Sequence, residues 1–169
     1  MKICLLLPYA GESHLYWANQ LKKNSKHFID ILKMPPRHWK WRMHGAASYF
    51  AKELSNTEKE YDLILTTSFL NLVELKALLP SHFKSLPIHL YFHENQFSYP
   101  ISNNDPDKGS ERMEHYQFIQ LMSYIYSDKV YFNSYFNKET FIKGAKDLLK
   151  ILPDYSDHLK ELFNKKSSI

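Results

Sequence analysis

The sequence predicts a doubly wound α/β domain, a parallel sheet with helices on both faces. Three observations carry this. Short apolar runs alternate with amphipathic stretches five times over the 169 residues, the pattern of a repeated strand–helix unit. The first run, KICLLLP at 2–8, is nearly continuous, as a strand buried on both faces requires. No internal repeat or long linker interrupts the series, so one core is expected, over residues 1–155.

The elements follow in order. After the first strand, residues 9–14 turn through Gly11, and 15–23 form a short helix. FIDIL at 28–32 is the second strand. Pro35 and Pro36 then end regular structure ahead of a segment dense in Trp, Arg and His. Ala46, Ala47, Phe50, Ala51 and Leu54 recur at helical spacing, which places an amphipathic helix over 44–55. YDLILTT at 61–67 is the third strand. Asn71 and Glu74 stand at capping-box spacing before an apolar helix that Pro80 closes. The fourth strand is 88–93, and SNNDPDKG at 102–109 is a loop. A helix over 110–127 carries Met113, Phe118, Met122 and Ile125 as its stripe, and the fifth strand is 129–133. A helix over 136–152 turns Phe141, Ala145, Leu148 and Leu152 inward until Pro153 stops it. Residues 156–169 read as a polar tail or the start of a linker. This is a Rossmann-like three-layer sandwich.

Composition narrows the class. Hydrophobic residues are 44% and charged ones 24%, ordinary for a soluble globular chain. No run approaches the roughly 20 apolar residues of a membrane helix, so no membrane partner is expected. The first residues do not make a signal peptide, and the cytoplasm is the expected location. Cys4, the single cysteine, excludes an intrachain disulfide and reads as a small buried hydrophobe in a reducing compartment. A net charge of +4 permits nucleic-acid contact, but only Arg37–Arg42 concentrates the cations. Aromatic residues at 15% leave some rings available for stacking on sugars, bases or a partner.

Right-handed crossovers put every loop that follows a strand on one rim, where ligands of open α/β sheets bind. On that rim the fourth strand runs into His93, Glu94, Asn95 and Gln96, with Tyr99 and Pro100 turning the chain away. An imidazole, a carboxylate and two amides without Lys or Arg suit a hydroxyl-rich ligand better than a phosphate. His93 reads either as a ligand contact or as a polar cap of the core. Adjacent positions of an extended chain face opposite ways, so Glu94 is not expected to form a dyad with His93, and it is read as orienting the loop. In the first turn Gly11 permits close backbone approach while Ser13 or His14 reaches the cleft; the alternative is a tight turn with Ser13 as helix cap. Trp39, Trp41 and Arg42, beside His44, offer stacking faces and cations, or else pack over the core edge. Asn133 and Ser134 could bind ligand or cap the next helix. No G-x-G-x-x-G, Walker A, H-E-x-x-H or G-x-S-x-G pattern occurs, so neither a dinucleotide, a metal nor a serine nucleophile is expected.

PPRHWKWRMHGAASYF, SFLNLVELKALLP, LYFHENQFSYP, YFNSYFNKETF and ILPDY occur in this order. In them the chain, from its first strand to Asp154, resembles the amino-terminal domain of the tRNA-queuosine mannosyltransferases, a branch of the retaining GT-B glycosyltransferases. That resemblance implies mannose transfer from GDP-mannose to queuosine in the tRNA for aspartate, with no cofactor. It implies that His93, beside Glu94, bonds a hydroxyl of the transferred sugar and helps bear charge in an oxocarbenium-like transition state. Gly11 would lie near the leaving diphosphate or the acceptor, and Trp39–Arg42 and Asn95–Tyr99 near the acceptor or a second domain. In such enzymes a carboxy-terminal Rossmann domain, which this sequence lacks, holds most of the nucleotide sugar. The chain alone is therefore expected to be inactive. Two other readings stay open: a nucleic-acid or partner-binding module without transfer, and a transferase with another acceptor.

Overall fold

The computed structural model describes residues 1–152 and 156–167. Pro153, Asp154 and Tyr155, including the expected helix stop, lie outside the described residues. Five strands, β1 (Lys2–Leu7), β2 (Phe28–Lys33), β3 (Leu63–Thr67), β4 (Ile88–Phe92) and β5 (Lys129–Phe132), form one sheet in the order β2-β1-β3-β4-β5. All four pairings are parallel. The helices are α1 (Glu12–Asn24), α2 (Trp39–Ser55), α3 (Leu72–Leu78), α4 (Ser81–Lys84), α5 (Glu111–Tyr126), α6 (Tyr135–Ile151) and α7 (Ser156–Ser167). The α/β sandwich is as the alternation predicts.

Period-two alternation sorts the core into unequal layers. Ile3, Leu5 and Leu7 of β1 pack towards α1 with Ala18, whereas Cys4 and Leu6 pack towards α2 and α3. Ile88, Leu90 and Phe92 share one face of β4, beneath the helices from α2 to α7. Among the described residues the other face carries α1 alone, and Tyr131 on β5 stays exposed there. Cys4 is fully buried, and burial pushes its thiol up to about 12. It is a core residue. The sheet order reverses between β1 and β3, so the loops leaving those strands part and open a crevice on the rim.

Several elements differ from expectation, each for a physical reason. Helix α1 begins at Glu12, because Gly11, extended at φ −63° and ψ 164°, caps it; Ser13 and His14 are therefore helical, and Ser13 is exposed rather than capping. Helix α2 begins at Trp39, five residues early, after His38 reverses the chain in the left-handed region at φ 55°. The Trp- and Arg-rich segment is thus the first turn of a helix. On α5 the buried stripe runs through Met113, Tyr116, Ile119, Gln120, Ser123 and Tyr124, while Phe118 and Met122 are half-buried. Polar Gln120 and Ser123 point inward because each bridges to a neighbouring loop. Short α4 was hidden by its length. The expected polar tail forms α7, with Phe163 fully buried and Leu159 and Leu162 packed beside it.

Candidate functional site

The site is assembled where α1 meets the tip of β4. Its centre is His14, 7% exposed. The His14 Nδ1 lies 3.0 Å from the Tyr9 carbonyl, which only accepts, so Nδ1 carries a hydrogen. The Nε2 atom lies 3.3 Å from Glu94 Oε2. The ring itself stacks on His93, centroids 4.0 Å apart and planes 12° from parallel. One helical turn on, Trp17 stands edge-on to His93 at 4.8 Å and stacks on Tyr91 at 4.3 Å. Gly11 sets the approach of this helix, since a Cβ there would meet the Tyr9 ring at 3.1 Å.

His93 and Glu94 do converge, which corrects the expectation from strand alternation. Strand β4 ends at Phe92, so the extended rule no longer applies at these two positions. They do not bond each other; both reach His14, one by stacking and one by its carboxylate. Burial, with the charge of His14 second, depresses the His93 pKa to about 3 and keeps the imidazole neutral. His93 Nε2, Glu94 Oε1 and Thr67 Oγ1 at the tip of β3 are buried with no hydrogen-bond partner in the protein. An unpaired buried polar atom costs about 1–3 kcal/mol. Two of these atoms belong to adjacent residues on one rim.

The loop that carries them is held by amides. Asn95 is 1% exposed: its Nδ2 donates to the Asn137 carbonyl, Asn137 Oδ1 and Thr140 Oγ1, and its Oδ1 accepts from the backbone of Phe97 and Ser98. Gln96 is 3% exposed, its backbone pinned by Gln117 and Gln120, and Gln120 also reaches the Ser68 carbonyl. Ser68 donates to the Glu94 carbonyl. Asn133 donates to the His93 carbonyl at 2.6 Å, and Asn137 to that of Phe92. Ser134 accepts from the Asn137 backbone, so it caps α6. Asn95 and Asn133, expected at the ligand, are thus also the fixings of the loop, and Asn95 itself performs the backbone capture expected of Glu94.

Depressions open on this rim. A cleft of about 190 Å³ is lined by His93, Glu94, Asn95, Tyr99, Asn133 and Ser134 among others. A larger groove of about 700 Å³ lies between the starts of α2 and α5, with Trp39, Trp41, His44, Arg112 and His115 in its wall. Trp39 forms the partition, packed on Phe69 and Tyr116, and Phe69 in turn stacks on His14. Arg42 turns back to the Pro35 carbonyl, with its Nε buried and unpaired. The structure therefore gathers Gly11, His14, His93 and Glu94 at one point, sets Tyr99, Asn133 and Ser134 beside it, and leaves Ser13 on the exposed side of α1. Sequence reasoning missed Trp17, His115 and Arg112, and it placed the loop of Thr67 and Phe69 on the rim without giving either a role. Trp17 stands three residues from His14 and was legible as its neighbour on a helix. Arg112 and His115 both lie on α5, and only the sheet order brings that helix to the rim. Among the described residues no helix is long and apolar enough to cross a membrane.

Residues 2–169 match the family described as tRNA-queuosine alpha-mannosyltransferase N-terminal. A Drosophila melanogaster protein with the name tRNA-queuosine alpha-mannosyltransferase is 30% identical over 169 residues, covering 99% of this chain and 43% of the relative. The chain thus spans less than half the length of that relative.

Proposed function

The chain belongs to the tRNA-queuosine alpha-mannosyltransferase N-terminal family, and from that premise we propose that it forms the acceptor-side wall of a retaining transferase moving mannose from GDP-mannose to queuosine in tRNA. The observation that carries this is the pair of buried unpaired atoms, His93 Nε2 and Glu94 Oε1, at the tip of β4. A neutral imidazole can donate to or accept from a sugar hydroxyl without a charge to desolvate. Stacked on His14 and wedged by Trp17, it is held in one orientation before substrate arrives, which is what electrostatic stabilisation of a developing cation requires. Glu94, fixed through His14, adds negative potential beside an oxocarbenium-like transition state. Among the described residues no Lys or Arg lines the smaller cleft to receive a diphosphate. The donor's phosphates are accordingly assigned to a carboxy-terminal domain, and the chain alone is incomplete as a catalyst. The single cysteine, buried and unpaired, fits work in the cytoplasm.

The test is transfer of labelled mannose from GDP-mannose to queuosine-containing tRNA, by this chain and by a full-length protein carrying His93 or His93→Ala. Transfer by the full-length protein only, lost on His93→Ala with tRNA affinity retained, supports the reading. Transfer by the chain alone at the full-length rate, or an active His93→Ala enzyme, overturns it.

A further inference from the structure

The groove between α2 and α5 has no part in the sugar chemistry above, yet it is built for a flat ligand. Trp41 on α2 is 73% exposed, an indole left in solvent at the groove wall. His44 on α2 and His115 on α5 stack across the two helices at 5.2 Å and 13°, and Trp41 stands edge-on to His44 at 6.3 Å. The cations differ in availability. Lys40 is spent on Asp105 at 2.5 Å and Asp107 at 2.6 Å. Arg112, although 3.2 Å from Asp107, leaves 76% of its side chain exposed. The groove is therefore rich in ring faces and poor in free cations, with the exposed carboxylate of Glu111 also in its wall. A chain of packed rings, Trp39 on Phe69 and Phe69 on His14, joins its wall to the reaction centre.

We infer that this groove is a stacking subsite for one unpaired nucleobase of the RNA acceptor, with Trp41 and the His44–His115 pair as its faces and Arg112 as the contact to the adjoining phosphate. The inference rests on the reading of the acceptor as RNA. Bases of single-stranded loops, unlike those of a duplex, can be splayed out and laid on aromatic rings. A volume of about 700 Å³ exceeds the need of one base and leaves room for its ribose and phosphate. Trp39 in the groove wall packs on Phe69 and Phe69 on His14, so a base seated here lies on the side of that ring chain away from His93.

The experiment measures fluorescence anisotropy of two labelled RNAs with the 169-residue chain: a stem-loop with an unpaired loop, and a fully paired duplex of equal length. The wild type prefers the stem-loop. Trp41→Ala, an exposed position whose change leaves the melting temperature unmoved, weakens stem-loop binding about tenfold without altering its salt dependence. Arg112→Ala lowers the salt slope by about one. Equal affinity for the two RNAs, or a Trp41→Ala variant that binds like wild type, overturns the inference and leaves the acceptor reading standing. Failure of the wild type to bind either RNA overturns both. Binding of free mannosides competitive with the stem-loop and lost in Trp41→Ala would reassign the groove to sugar and overturn it as well.

Discussion

The His14 ring lies flat on the His93 ring at 4.0 Å while its Nε2 faces the Glu94 carboxylate at 3.3 Å. One side chain from the first helix thus fixes two consecutive residues at the end of the fourth strand. Removing it exposes how much each depends on the other. His14→Ala opens a void between Tyr9, Phe69 and His93 and strips Glu94 of its partner, at a cost of about 2–4 kcal/mol. Glu94→Ala costs less, since the imidazole keeps its bond to Tyr9. In urea denaturation the double variant should lose less than the sum of the two by about 0.5–3 kcal/mol. Strict additivity would mean the two groups do not interact.

His93 makes stability depend on pH with a definite sign. Its pKa falls from 6.5 to about 3 on folding, with burial the larger cause. Between those values the unfolded chain takes up a proton that the folded chain refuses, so stability is complete above about 6.5 and declines as pH drops towards 3. His44 and His89 are also lowered, as are Asp30, Asp105, Asp107 and Asp147 at the acid end, so a raw profile mixes several groups. The difference between wild type and His93→Gln isolates one. Urea midpoints from pH 8 to pH 4 should converge as acid is added, because only the wild type has an imidazole that must stay neutral to fold. Parallel curves would place His93 in water.

Asn95 is read as a fixing as well as a ligand group, and stability separates the roles. Asn95→Ala removes the acceptor of two backbone N–H groups and the donor to Asn137 and Thr140. The expected loss is about 3 kcal/mol, with exchange protection falling first in the amides of Phe97 and Ser98. A variant as stable as wild type but weaker for ligand would assign Asn95 to the ligand alone.

How far the chain could be read from its sequence depended on the kind of signal. Strands survived because burial on both faces writes apolar runs such as ICLLL and LILTT, whatever surrounds them. The rim was legible for the same reason: parallel crossovers place Gly11, His93 and Asn133 together without any knowledge of their side chains. Helix limits were not. His38 starts α2 from a left-handed backbone that no proline or glycine announces, and Gly11 caps α1 without a side chain. Gln120 and Ser123 were hidden because a polar residue facing inward looks like a solvated one until its partner on another element is known. The His14–Glu94 contact joins residues 80 positions apart on elements that the sheet order alone brings near.

Gly144 supplies the last test, of how tightly α6 is pressed on the His93 loop. A Cβ at that position would come within 2.5 Å of Phe97 Cβ, Cγ and Cδ1. One of those atoms is the root of the Phe97 side chain, so no rotamer change clears it, and loop or helix must move. Overpacking of this kind costs about 1–3 kcal/mol. The loop residue two positions back is Asn95, and three back is Glu94, so a shift here is passed directly to the site. Gly144→Ala should therefore lower the urea midpoint and also move the side-chain resonances of His93 and His14. Trimming Phe97 to Ala in the same chain should recover part of the loss and no more, because Cβ remains. Full recovery in that background would show that the ring alone made the contact, and that the loop backbone is not braced by α6.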